Sequence, residues 1–218
     1  MQIIWRGQSC FQILTTSGKD NQVSLVIDPF GEDYGLRVPD LAADIVLVTH
    51  DHQDHNNLGA VKGKPFLIDG PGEYEIKGVY VQGVPAFHDK NFGKDRGRVT
   101  IYSFESEGMR VCHLGDFGQK ELFPEQIEDI GEVDVLLIPV GGVYTIGAQE
   151  ALKVISQIEP KIVIPMHYSL PKLKVKLEGV DKFLKAMGKK AQEPLPKLTV
   201  KKKDIMASEE TKIIVLRA

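Results

Sequence analysis

The chain has 218 residues, 42% of them hydrophobic and 26% charged, with a formal net charge of −3. This is an ordinary globular balance, and the chain is long enough to bury a sizeable core without covalent staples. The weak negative charge gives no electrostatic support to nucleic-acid binding, and the two cysteines, Cys10 and Cys112, are too few for a disulfide framework.

The opening MQIIWRGQSC lacks the basic segment and long apolar run of a signal peptide. The most apolar stretch, VLLIPVGGVY from Val135, is too short and too broken by Gly and Pro to span a membrane. A reducing, cytoplasmic setting is expected.

The first half reads as strands. MQIIW, CFQILTT and VSLVID are short β-branched or aromatic runs between polar turns. ADIVLVTH is a near-continuous apolar strand that delivers His50 at its end. KPFLID, GEYEI and GVYVQGVPAFH follow, with a hairpin turn at Lys77-Gly78. RVTIYSFES and MRVCHLGD pair around Glu107-Gly108.

Helices come later. FPEQIEDIG opens with Pro124 in its first turn and closes on Gly131. GAQEALKVISQIEP puts Ala148, Ala151, Leu152, Ile155 and Ile158 on one face, and Pro160 stops it. This helix lies between the strands DVLLIPV and KIVIPMHY. Residues 169–178 read as an irregular connection, GVDKFLKAMGKK as a third helix, and KLTVKKKDI and TKIIVLRA as closing strands. The lysines at 201–203 would form a solvated strand face. The expected architecture is one domain over residues 1–218, mixed strands with helices packed outside them.

The chemistry concentrates in VTHDHQDHNN, where three of the six histidines fall between His50 and His55. On a loop at a strand end, His50, His52, Asp54 and His55 can converge on one point or two nearby points. Imidazole and carboxylate are natural ligands of zinc, manganese and iron. His88, Asp116 and His167 also stand at or just past the ends of apolar strands, where α/β folds collect ligand-binding residues. His113 sits inside a strand and reads as a packing residue or a hydrogen-bonding support for the ligands.

THDHQDH, AFHD, HLGDFG and PMHY, in this order and with IDPF before them, resemble the metallo-β-lactamase superfamily. WRGQSCF, IDPF, GDFG, IPVGG and IPMHY look closest to its small stand-alone hydrolases similar to L-ascorbate-6-phosphate lactonase. The resemblance covers roughly residues 1–170. It implies an αββα sandwich of the α/β (α+β) class with two metals at one sheet edge. His50, His52 and His88 would hold the first metal, Asp54, His55 and His167 the second, and Asp116 would bridge them. Asp28 would fix the histidine loop. Two divalent ions, zinc first and manganese or iron by the same ligands, would supply a bridging hydroxide to attack an ester, lactone or phosphodiester. Asp54 would orient that hydroxide and carry its proton.

One position departs from the pattern: Gln8 stands where these hydrolases usually show histidine, and glutamine is neither acid nor base. The alternative reading is therefore a metal-dependent binding or sensing protein with little turnover. For substrate contacts the sequence offers the basic loop after His88, with Lys90, Lys94, Arg96 and Arg98, suited to a small anionic molecule. It also offers the glycine-rich GGVYTIGA, whose amides at a helix start could bind an anion. Tyr144 and Tyr168 are candidate pocket walls. Neither a nucleic-acid nor a membrane partner is expected, and a homo-oligomer is compatible with the sequence.

Overall fold

The computed structural model describes residues 1–18, 21–206 and 210–218. In chain order the strands begin with β1 (Gln2–Gly7), β2 (Cys10–Ser17), β3 (Asn21–Ile27), β4 (Leu41–Ala42), β5 (Ile45–Leu47), β6 (Val61–Lys62), β7 (Phe66–Ile68) and β8 (Gly72–Ile76). They continue with β9 (Val79–Phe87), β10 (Arg98–Ser106), β11 (Met109–His113), β12 (Val135–Pro139), β13 (Ile162–Met166), β14 (Leu198–Thr199) and β15 (Lys212–Ile213). The α-helices are α1 (Pro124–Ile130), α2 (Ala148–Ile158), α3 (Val180–Ala186) and α4 (Lys202–Met206).

Two large sheets result. One has the order β14-β1-β2-β3-β5-β7, the other β15-β13-β12-β11-β10-β9-β8. Inward residues of both, among them Trp5, Phe11, Leu25, Ile101, Phe104 and Leu136, form one apolar core. Strand β3 is buried on both faces: Val23, Leu25 and Ile27 enter that core, while Val26 joins Cys10, Phe30 and Val46 in a smaller cluster. The fold is thus mixed α/β, built of several sheets and few helices.

Topology gathers the strand ends. β11, β12 and β13 run parallel, and β9 and β11 each pair antiparallel with β10, so β9 runs their way too. In the other sheet β3 and β5 are parallel. The residues just past β3, β5, β9, β11 and β13 are those that carry Asp28, His50, His88, Asp116 and His167.

The hairpin turns form as expected, with positive φ at Lys77, Gly78, Glu107 and Gly108. The chain's end does not. In KLTVKKKDI only Leu198–Thr199 is strand, and Lys202–Met206 is helix. Asp204 explains the switch: its Oδ2 accepts the backbone N–H of Lys201 at 3.0 Å, tying off a helical turn. Lys202 lies on the helix, with its Nζ 3.0 Å from Asp134 Oδ2, rather than on a strand face. No helix among the described residues is long and apolar enough to cross a membrane.

Candidate metal centre

Strand β5 is only three residues long, and the chain leaves its ladder at Val48 and Thr49 under the control of Asp28. Asp28 is fully buried. Its Oδ1 accepts the Thr49 backbone N–H and its Oδ2 the Thr49 hydroxyl, both at 2.8 Å. A hydroxyl has one hydrogen; with it given to Asp28, the Thr49 oxygen accepts from His50 Nδ1 at 3.0 Å. That chain leaves Nε2 of His50 as the unprotonated, ligand-ready nitrogen. Asp28 Oδ2 also lies 3.0 Å from His55 Nδ1, an ion-pair distance from the second ring. One buried carboxylate therefore reaches two imidazoles.

Asp116 is the hub. Its Oδ2 lies 3.4 Å from His55 Nε2, 3.5 Å from His88 Nε2 and 3.3 Å from His167 Nε2. Ligand atoms fall within 4.8 Å of one another in three groups: His50, His52 and His88; His50, His55 and Asp116; and Asp54, His55 and His167. Each group could hold a cation. Gln53, between two of these residues, is exposed and turned away.

The electrostatics agree with such a use. Burial, helped by the neighbouring histidines, pulls His50 well below the usual imidazole range, and burial lowers His88 as well. Both are neutral and able to ligate. Burial pushes the Asp116 carboxyl up, but the facing His167 and His55 outweigh it and hold it well below the usual carboxylate range. In Asp54 burial is likewise outweighed, here by His55. Four or more imidazoles around one buried carboxylate form a donor set that a cation completes.

Backbone strain collects at the same place. Gln8, Asp28 and His167 all have left-handed φ, at 50°, 48° and 49°, a region costly for residues with a Cβ. The His167 N–H donates to the Gln8 carbonyl at 3.1 Å, and the Trp5 indole donates to that carbonyl at 2.8 Å. The Gln8 side chain is fully buried, and neither amide atom has a protein partner. Glycines in the quoted motifs also have a steric reason: a Cβ at Gly118 would collide with the His88 carbonyl, and one at Gly141 with that of His167.

A cavity of about 990 Å³ opens beside His88. Lys90, Arg96 and Tyr144 line it, with Lys182 and Lys185 from α3. Lys90 is paired with Glu150 at 3.0 Å and Lys182 with Glu178 at 2.6 Å. Arg96 stacks on the Tyr144 ring, 4.6 Å from its centroid.

Two candidates fall elsewhere. Arg98 begins β10, exposed and outside this cavity. Tyr168 is buried against Trp5, and its ring borders a different cavity. Neither lines the cavity beside His88. The glycine-rich loop is largely self-satisfied: Glu150 Oε2 accepts the Gly147 N–H at 3.3 Å, and the Thr145 N–H donates to the Gly142 carbonyl at 3.1 Å. Those two amides are therefore already engaged within the loop.

His113 braces the centre from behind. Its Nε2 contacts the Ser9 carbonyl at 2.8 Å, and its Nδ1 accepts the Gly115 N–H at 3.0 Å. Ser9, Thr49 and Asp89 were not singled out by the sequence. Asp89 is buried, and its carboxylate accepts the N–H groups of Asn91, Gly93, Asp95 and Arg96, which shapes the loop carrying Arg96. Its place next to His88 was the available signal.

Comparison with known proteins follows the same lines. A β-lactamase superfamily domain model matches residues 2–167. A UPF0173 metal-dependent hydrolase of Thermococcus onnurineus is 30% identical over 223 residues, spanning 88% of this chain and 94% of its own. A crystallised Thermotoga maritima member of the metallo-β-lactamase superfamily is 39% identical with a TM-score of 0.78, covering 99% of this chain and 97% of that one. An isothiocyanate hydrolase from Delia radicum gut bacteria has a TM-score of 0.66 at 14% identity, covering 92% of this chain and 99% of its own, a likeness of fold alone.

Proposed function

This chain belongs to the metallo-β-lactamase superfamily and is a metal-dependent hydrolase; we propose that it cleaves a small anionic ester or lactone, with a phosphodiester as the second substrate class, at a paired-metal site. In this reading His50, His52 and His88 hold one divalent ion, Asp54, His55 and His167 the other, and Asp116 lies between them. The convergence of three Nε2 atoms on Asp116 Oδ2, each at 3.3–3.5 Å, carries it. Zinc is the first choice; the Thermotoga maritima relative bears a provisional zinc-dependent name, and an all His/Asp set also accepts manganese or iron.

Bound divalent ions lower the pKa of water and polarise a carbonyl or phosphoryl oxygen. The chain's own residues do the rest. Asp54, half-buried and held ionised, takes the proton of the attacking water at its carboxylate. Thr49 and Asp28 keep the rings of His50 and His55 in place. Arg96, with its planar face on Tyr144 and no carboxylate partner among the described residues, anchors the substrate's anionic group.

The test is a screen of metal-loaded protein against paired esters and lactones with and without a carboxylate or phosphate group, and against phosphodiesters. The charged member of each pair should be the better substrate, and Arg96→Gln should raise its KM about tenfold with little change in kcat. Binding without turnover across the screen would favour a sensing role instead.

A further inference from the structure

A second cavity, of about 600 Å³, shares no lining residue with the first and is bordered by Tyr168, the residue after His167. Its walls include Leu36, Tyr168, Leu170, Leu184 and Leu216. Arg6, Arg37 and Arg217 also line it, as do Asp181 and Ala218. None of the three arginines has a carboxylate within 4.0 Å among the described residues. Arg6 is tethered at one end only: Nη2 donates to Gln12 Oε1 at 2.6 Å, while Nε is buried with no partner. A buried guanidinium donor without an acceptor is costly. An apolar chamber of ligand size with a few convergent polar groups is the usual form of a small-molecule site.

We propose that this cavity binds an amphipathic carboxylate, its head on Arg6 and the rim arginines and its hydrocarbon body on the leucines. An anion satisfies Arg6 Nε, and guanidinium pairs with carboxylate through parallel hydrogen bonds. The apolar walls exclude a fully polar ligand, since they would leave it without partners. The site is separate from the metal centre and does not rest on the hydrolytic reading.

The molecule carries its own reporter. Trp5 is the sole tryptophan, and its ring lies 4.8 Å from that of Tyr168, which lines the cavity. Decanoate titrated into the metal-loaded protein should change Trp5 fluorescence saturably, below its micelle concentration, with one site by calorimetry. Decanol should bind about tenfold more weakly, and Arg6→Gln and Arg217→Gln should each weaken decanoate about tenfold while leaving decanol unchanged. Leu170→Phe, which narrows the chamber, should weaken both in calorimetry. Equal affinity for decanoate and decanol, or no saturation, overturns the proposal. So does displacement of decanoate by an equal concentration of acetate, which would place the carboxylate on the metals.

Discussion

Ser9 holds Asp116 by one oxygen and leaves the other free. Its hydroxyl donates to Oδ1 at 3.0 Å, while Oδ2 faces His55, His88 and His167. Ser9 itself is fixed through its carbonyl by His113. A carboxylate in the middle of a histidine cluster can rotate, and only one rotation presents a single oxygen to all three rings. Ser9→Ala should therefore leave the fold intact by circular dichroism and weaken metal binding by roughly 10–100-fold, the usual effect of losing a support behind a ligand. Competition against a chromogenic chelator measures it. Unchanged affinity would mean that Asp116 keeps its orientation without Ser9.

The assignment of the ligands themselves is open to elemental analysis. Protein purified without chelator should carry about two metal equivalents, as a paired site requires. His52→Ala removes a partly exposed member of the first group, and Asp116→Ala removes the hub. Each should lose at least one equivalent. Full metal content in both variants would dismiss the assignment.

Far from the centre, the turn of the β10–β11 hairpin ties the two sheets together. Glu107 accepts from the Met1 ammonium at 2.6 Å, and from the Thr15 hydroxyl and Thr16 N–H at 2.9 and 2.8 Å. Burial pushes the Glu107 carboxyl up, but the ammonium and the Thr15 hydroxyl outweigh it and set it below its ordinary 4.5. A carboxyl lowered on folding stabilises above its unfolded value, and that stability is lost as pH falls through the folded value. Thermal melts should therefore show stability dropping below about pH 4.5, more steeply in wild type than in Glu107→Gln. Parallel curves would remove Glu107 from the account.

The residues that converge on Asp116 were legible because they sit in short motifs at strand ends, and hydrophobic runs mark strand ends well. His50, His88, Asp116 and His167 needed only the strands before them. Ser9 and Thr49 were hidden for the opposite reason: single hydroxyls are common in turns, and their use depends on a partner 107 or 21 residues away. Tyr144 and Tyr168 both line cavities, but different ones, a division that sequence spacing does not reveal: Tyr144 borders the cavity beside His88, while the Tyr168 ring packs on Trp5 beside the second. The lysines at 201–203 alternate with nothing, so a strand face and a helix start looked alike until Asp204 supplied the cap. The first cavity's α3 wall, Lys182 and Lys185, was beyond reach, since nothing local brings residues 90 and 182 together.

Gln8 sets stability against function in one side chain. Its amide is buried and unpartnered on a left-handed backbone, beside the His167 N–H that its carbonyl accepts. An unsatisfied buried amide costs on the order of 1–3 kcal/mol, and replacing it by an apolar side chain of similar shape recovers part of that. Gln8→Met should raise Tm by roughly 2–4 °C, the shift that about 1 kcal/mol produces in a chain of this length. If the amide is kept for the reaction, the same variant should lose kcat/KM on whichever substrate the screen identifies, the exchange seen when a strained site is relaxed. A fall in Tm would instead show that the amide is satisfied by an internal water. A rise in Tm with unchanged turnover would remove Gln8 from the chemistry.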